Sequence, residues 1–304
     1  MNAWLPTAPC TPEECASRPG ARPGSLAGTL VRLTAGLLAV LIGLLLAPLA
    51  PLTGRTARAR LTRLWCRAVL AAFGVRVRVH GTVPPGPHLV AANHISWLDI
   101  PLIGAVLPGR MLAKSDLRRW PVLGPLIALA GTLFVERDRL RALPGTVRAM
   151  AAALTAGSRV IVFPEGSTWC GRAQGRFRPA AFQAALDAGA AIQPVRLGYR
   201  PTGPAAFVGE DTLAASLWRV AAAGGLTAEL TLLPVIPVHH HPATVDRRSL
   251  ARATQDALRP DRESPPAPRP PSEGHCQWGV SESGHARHHG ADGERGAAPA
   301  GALR

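Results

Sequence analysis

Between residues 93 and 99 the chain reads Asn-His-Ile-Ser-Trp-Leu-Asp, which sets a histidine five residues ahead of a carboxylate. A neutral imidazole takes a proton from a hydroxyl when a carboxylate holds its other ring nitrogen. His94 and Asp99 are thus a candidate general base and its orienter. The heptapeptide follows the apolar run HLVAA, where a strand gives way to a helix. Strand exits of open α/β sheets are where ligands collect. A structural reading competes, because Ser96-x-x-Asp99 resembles a helix capping box. With Ser96 as N-cap, Pro101 falls at the fifth helical position and clashes with the preceding turn. A helix starting near Asp99 puts that proline in the first turn instead. A capping role for Asp99 itself stays open.

Two more strand-like runs end in polar groups. Gly131 to Arg137 (GTLFVER) closes on a charged pair, and Ser158 to Thr168 (SRVIVFPEGST) closes on a Pro-Glu-Gly loop. In a mostly parallel sheet these three exits share one edge, and the site forms there. Glu165 is anionic and does not pair with phosphate; it reads as a ligand for a hydroxyl, as a partner fixing Arg137, or as a plain turn residue. A fourth run, Ile192-Gln193-Pro194-Val195, carries a proline, which implies an edge strand or the start of a strand.

The elements that must position these groups follow from periodicity. From about Val75 to Val238, short apolar runs (VRVRVH, HLVAAN, RMLAK, TLFVE, SRVIVFPE, AIQPVRLGY) alternate with helical stretches such as Leu140 to Ala156. This is the pattern of a layered α/β domain. LTAELTLLPVIPV, from Leu226, reads as a last strand, and Arg247 to Leu258 as a closing helix. The catalytic domain is therefore expected over residues 75–258. Residues 1–25 read as a flexible lead-in and 259–304 as a disordered tail, both being aperiodic and rich in Pro, Gly and small residues.

Residues 26–74 read as a membrane anchor. Leu33 to Leu52 runs 20 residues without a charge, enough to cross the hydrocarbon at about 1.5 Å per residue. The segment starts late, behind Glu13 and Glu14, and outlasts a usual signal-peptide core, which argues against cleavage. Arg55, Arg58, Arg60, Arg63 and Arg67 follow at once and favour a cytoplasmic position for the rest of the chain. Pro48 and Pro51 weaken the end of a spanning helix, so a re-entrant segment followed by an arginine-faced interfacial helix is also open. The expected location is the inner membrane, with the catalytic domain facing the cytoplasm.

With the four segments in view, the chain resembles the 1-acylglycerol-3-phosphate (PlsC-type) acyltransferase family. Its NHxSxxD block is matched by Asn93, His94, Ser96 and Asp99, and its GxxFxxR block by Gly131, Phe134 and Arg137. Its FPEGT block is matched by Phe163, Pro164, Glu165, Gly166 and Ser167, and its last block by Pro194-Val195. The resemblance implies a layered mixed sheet with flanking helices, as in glycerol-3-phosphate acyltransferases. It also implies acyl transfer from acyl-CoA or acyl carrier protein to a lysolipid hydroxyl, without a further cofactor. His94 and Asp99 would then be catalytic, and Asn93, Ser96, Lys114, Arg137, Glu165, Gly166 and Ser167 would contribute to substrate binding. The acceptor most expected is 1-acylglycerol 3-phosphate, with lyso-ornithine lipid as the alternative, since Asp211 to Arg219 (DTLAASLWR) is similar to some amide-lipid acyltransferases. Thr168 and Trp169 stand where many members have a basic residue, which bears on the head group.

Composition bounds the remaining readings. The 34 basic and 19 acidic residues leave +15, which suits an anionic lipid, a nucleic acid or a phosphorylated substrate. Only 5% of residues are aromatic and the charge gathers beside the apolar segment, so a base-stacking surface is not indicated and no nucleic-acid partner is expected. Lys114 is the only lysine, a candidate near the site or a solvated residue. Five cysteines (Cys10, Cys15, Cys66, Cys170, Cys276) lack paired ligand spacing, so neither a disulfide framework nor a metal site is expected, and Cys170 lacks the context of a nucleophile. His239–His241 and the tail histidines His275, His285, His288 and His289 suggest only adventitious metal affinity.

Overall fold

The computed structural model describes residues 8–16, 24–121, 123–136, 139–238 and 246–259. Ten helices appear among them: α1 (Pro12–Cys15), α2 (Leu26–Leu46), α3 (Arg55–Ala72), α4 (Asp99–Val106), α5 (Leu123–Leu129), α6 (Leu143–Thr155), α7 (Ala180–Ala188), α8 (Thr202–Ala205), α9 (Leu213–Ala223) and α10 (Arg247–Leu258). The strands are β1 (Arg76–His80), β2 (Leu89–Ala92), β3 (Arg110–Lys114), β4 (Leu133–Val135), β5 (Val160–Val162), β6 (Ile192–Arg200) and β7 (Thr227–Leu232). The tail from residue 260 and His239–His241 lie outside the described residues.

The strands form one mixed sheet in the order β1-β7-β6-β2-β5-β3-β4. The run β6-β2-β5-β3-β4 is parallel throughout, and β7, antiparallel to β6, carries β1 parallel to itself on the far edge. β2 and β5 are apolar at every position because helices cover both faces. Leu89, Ala91, Val160 and Val162 point into a core shared with residues of α6, α7 and α10. Val90, Ala92 and Ile161 point the other way, into a core shared with α3, α4 and α9. The domain is therefore three layers deep, with the candidate loops at the carboxyl ends of its central strands.

Of the two readings of Pro194, the edge strand is corrected, since β6 is interior to the sheet, while the proline does lie near the start of its strand, as the third residue of β6. Its missing N–H falls just before the first β6–β7 pair, Val195 with Leu232, so no ladder bond is lost on that side.

At the amino end, α2 is the one described helix long and apolar enough to cross a membrane, and most of it is exposed. α3 folds back along it. Trp65 donates through Nε1 to Ala39 O at 2.8 Å, and Gly36 and Gly43 let the rings of Phe73 and Trp65 approach the α2 backbone. The start of α2 is tied to α9, by Gly24 N to Ala222 O at 2.8 Å and Arg32 Nη1 to Ala221 O at 2.7 Å. The expected unstructured lead-in is corrected for residues 8–16. They form the single turn of α1 and bury Cys10 and Cys15 against Cys170, contacts made by residues far apart in sequence.

Candidate active site

The turn from β2 into α4 is built to hold one imidazole. Asn93 closes the strand: its side chain donates to Leu197 O at 3.0 Å and accepts from Leu197 N at 2.8 Å, pinning the end of β2 to β6. Ser96 is fully buried, and its Oγ accepts from Leu98 N at 3.2 Å, shaping the turn. Asp99 is the first residue of α4, and Pro101 falls in the first turn, where its missing N–H is harmless. The Asp99 carboxylate faces backwards: Oδ2 accepts from Ile95 N at 2.7 Å, Ser96 N at 2.9 Å and His94 Nδ1 at 2.7 Å. The capping reading of Asp99 is corrected: Leu98 is the N-cap, and the carboxylate accepts from backbone ahead of the helix, in the turn that carries His94. The carboxylate is 0% exposed, and its other oxygen accepts from the Tyr199 hydroxyl at 2.5 Å.

Four donors on one buried carboxylate define its role as acceptor, so Nδ1 of His94 carries the hydrogen and Nε2 carries the lone pair. The imidazole is 19% exposed and stacks on Phe163 with centroids 4.0 Å apart and planes 16° off parallel. Burial first, and then the neighbouring Asp99, push the Tyr199 phenol well above its ordinary range, so it remains a donor. Tyr199 escaped sequence reasoning; its one signal was that it is the only tyrosine in the chain.

The loop after β5 braces this turn from the neighbouring strand. Glu165 is buried, and its carboxylate accepts from His94 N at 2.8 Å and Gly175 N at 3.1 Å. Desolvation raises its pKa to about 8, against the pull of those two N–H donors, and the nearby Asp99 adds to the rise. Glu165 is therefore spent on backbone, positioning His94 from behind. Gly166 has φ +77° and donates to Phe163 O at 3.1 Å, which closes the turn. Trp169 N donates to His94 O at 2.7 Å, a second tie between the loops. The buried Ser167 Oγ has no hydrogen-bond partner among the described residues, so it is a donor still to be used.

The remaining candidates sit further along the same edge. Lys114 ends β3 and pairs with Asp116 at 2.5 Å, both side chains being about half exposed. Arg137 lies outside the described residues. A cavity of about 330 Å³ opens at the β3 and β4 exits, lined by Ser115, Asp116, Arg119, Glu136 and Arg139. β5 separates β2 from β3, so at a strand spacing of ~4.8 Å this cavity begins roughly 10 Å from the His94 turn. The edge thus carries a base at one end and a mixed-charge recess at the other.

Comparison with known proteins gives the family and the fold. A family model described as Acyltransferase matches residues 76–198. The lyso-ornithine lipid O-acyltransferase of Pseudomonas aeruginosa is 39% identical over 206 residues, covering 66% of this chain and 78% of that protein. The 1-acyl-sn-glycerol-3-phosphate acyltransferase of Neisseria meningitidis serogroup B is 36% identical over 202 residues, covering 64% and 77%. The crystal structure of the 1-acyl-sn-glycerophosphate acyltransferase PlsC from Thermotoga maritima superposes with a TM-score of 0.51 at 21% identity, covering 74% of this chain and 97% of that one.

Proposed function

The chain belongs to the acyltransferase family, and we propose that it acylates a lysolipid hydroxyl with His94 as base and a thioester, acyl-CoA or acyl carrier protein, as donor. The observation that carries the mechanism is the Asp99-held imidazole at the exit of β2. Nε2 of His94 takes the proton of the acceptor hydroxyl as its oxygen attacks the thioester carbonyl. The tetrahedral intermediate collapses, the C–S bond breaks, and the imidazolium returns the proton to the departing thiolate. Asp99 offsets the positive charge that the ring acquires in between. No acyl-enzyme is required.

For the acceptor, the recess favours lyso-ornithine lipid over lysophosphatidic acid. Its described lining carries both signs, Asp116 and Glu136 beside Arg119 and Arg139, with Glu136 paired to Arg139, which suits a head group with an ammonium and a carboxylate. The ammonium of ornithine also lies more than twice as many bonds from the acylated hydroxyl as the phosphate does in a lysophosphatidate. That reach fits a recess roughly 10 Å along the edge. The loop after Gly166 continues Ser-Thr-Trp without a cation, which removes one phosphate ligand. The matching relative from Pseudomonas aeruginosa acts in the same sense.

The membrane reading follows from α2 and α3. The hairpin presents exposed leucines of α2 together with Leu61 and Leu64 of α3, flanked by Arg60 and Arg67. It inserts from the cytoplasmic side of the inner membrane, and the site takes its acceptor from that leaflet. The test is purified full-length protein given both acceptors with each donor. Lyso-ornithine lipid should be acylated with the higher kcat/KM, and preferred use of lysophosphatidate would overturn the head-group assignment. His94→Ala should abolish transfer to either acceptor, and undiminished turnover would remove His94 as the base.

A further inference from the structure

Three of the described cysteines meet beside the active-site loop. Cys10 and Cys15 bracket α1 with the spacing Cys-x4-Cys, and Cys170 lies on the loop that carries Glu165 and Trp169. All three are buried, and their sulfurs lie within 4.8 Å of one another. Ala206, Val208 and part of Trp169 enclose them. Donors converge on the sulfurs: Cys170 Sγ accepts from the Cys10 thiol, from the backbone N–H groups of Arg172 and Ala173 and from the Arg172 guanidinium. That guanidinium also reaches Cys15 and donates to Glu14 O at 3.1 Å. Gly171, at φ +78°, provides the turn that aims those N–H groups back at the sulfur.

We propose that Cys10, Cys15 and Cys170 form a three-thiolate zinc site that staples residues 8–16 to the active-site loop. A disulfide would use two sulfurs and strand the third, whereas here three share one centre. Zinc with Zn–S bonds of ~2.3 Å places ligating sulfurs about 3.8 Å apart, so an adjustment of roughly 1 Å suffices. Each thiol gives up one proton on binding, and water takes the fourth position. Three thiolates and one divalent cation leave a net negative charge, which the Arg172 guanidinium offsets. Because Trp169 N holds His94 O and Glu165 holds His94 N, the staple fixes the loop that fixes the base.

The proposal is tested on full-length protein in detergent, kept reduced with a phosphine, stripped with a chelator and titrated with cobalt and then zinc. One cobalt per chain should bind with thiolate-to-metal charge-transfer absorption, and zinc should displace it. Cys170→Ser and the double variant Cys10→Ser/Cys15→Ser should lose that absorption while Cys66→Ser keeps it; histidine-bound cobalt gives no such band. Arg172→Ala should weaken zinc binding by about 10- to 100-fold. In the unsubstituted protein, zinc should also slow alkylation of Cys170, a readout that does not depend on the variants folding. No charge-transfer band, an unchanged band in the cysteine variants, or a disulfide between two of the three in protein alkylated at lysis would each overturn the site.

Discussion

At the scale of single residues, the proposed mechanism separates groups that react from groups that aim. Asp99 aims, and its four donors leave no place for another hydrogen. Asp99→Asn puts an amide N–H against these donors and removes the negative charge behind the ring. It should lower kcat by about 10²–10⁴ with acceptor KM little changed, which steady-state kinetics with a lysolipid will measure. Glu165 makes a pH-dependent prediction. Its folded pKa, raised to about 8, stands above the ordinary carboxyl value of 4.5, so between the two the folded chain holds a proton that the unfolded chain has released. Stability tied to this group is present below the ordinary carboxylate range and falls as pH rises through the folded pKa. Glu165→Gln removes that titration, so its melting temperature should decline less than that of the unsubstituted protein as pH is raised to about 8. Parallel declines would show that another group sets the pH dependence.

At the scale of elements, the β2–α4 turn was legible because its chemistry is local: His94, Asp99 and Pro101 lie within eight residues, and the proline alone placed the helix start. The strands were legible from apolar runs, and their shared edge from the parallel order that such runs require. What sequence hid depends on register between distant segments. Tyr199 reaches Asp99 across 100 residues, Glu165 turns to backbone groups instead of a ligand, and Cys10 meets Cys170, none of which has a periodic signal. The α2–α3 contact is hidden in the same way, since Gly36 reads as one small residue in an apolar helix. Yet a Cβ there would stand 2.6 Å from the Phe73 ring, whereas one at Gly54 meets nothing within 4 Å. Gly36→Leu should therefore destabilise the protein by about 1–3 kcal/mol through overpacking, and Gly54→Ala should be close to silent. Chemical denaturation in detergent would check this, and equal midpoints would mean that the hairpin is loosely packed.

At the scale of the molecule, the question is how a chain with one long apolar helix among its described residues meets the bilayer. α2 spans 21 residues, about 30 Å at ~1.5 Å per residue, which is enough to cross. Length alone would place its two flanks on opposite sides. The contacts oppose this. Residues 8–16, ahead of α2, pack on Cys170 of the catalytic domain; the start of α2 bonds α9; and α3, after it, packs on α4. With both flanks of the helix on one domain, the proposed arrangement has it enter and leave a single leaflet. A charge-free face on α2 and arginines on α3 then let the hairpin lie with leucines in the acyl region and guanidiniums at the head groups. Cysteines introduced at Ala27 and at Gly54, both exposed positions flanking the apolar stretch, should react with a membrane-impermeant maleimide from the same side of inner-membrane vesicles, above the background of the parent chain. Labelling from opposite sides would make α2 a spanning helix and break its contact with α9.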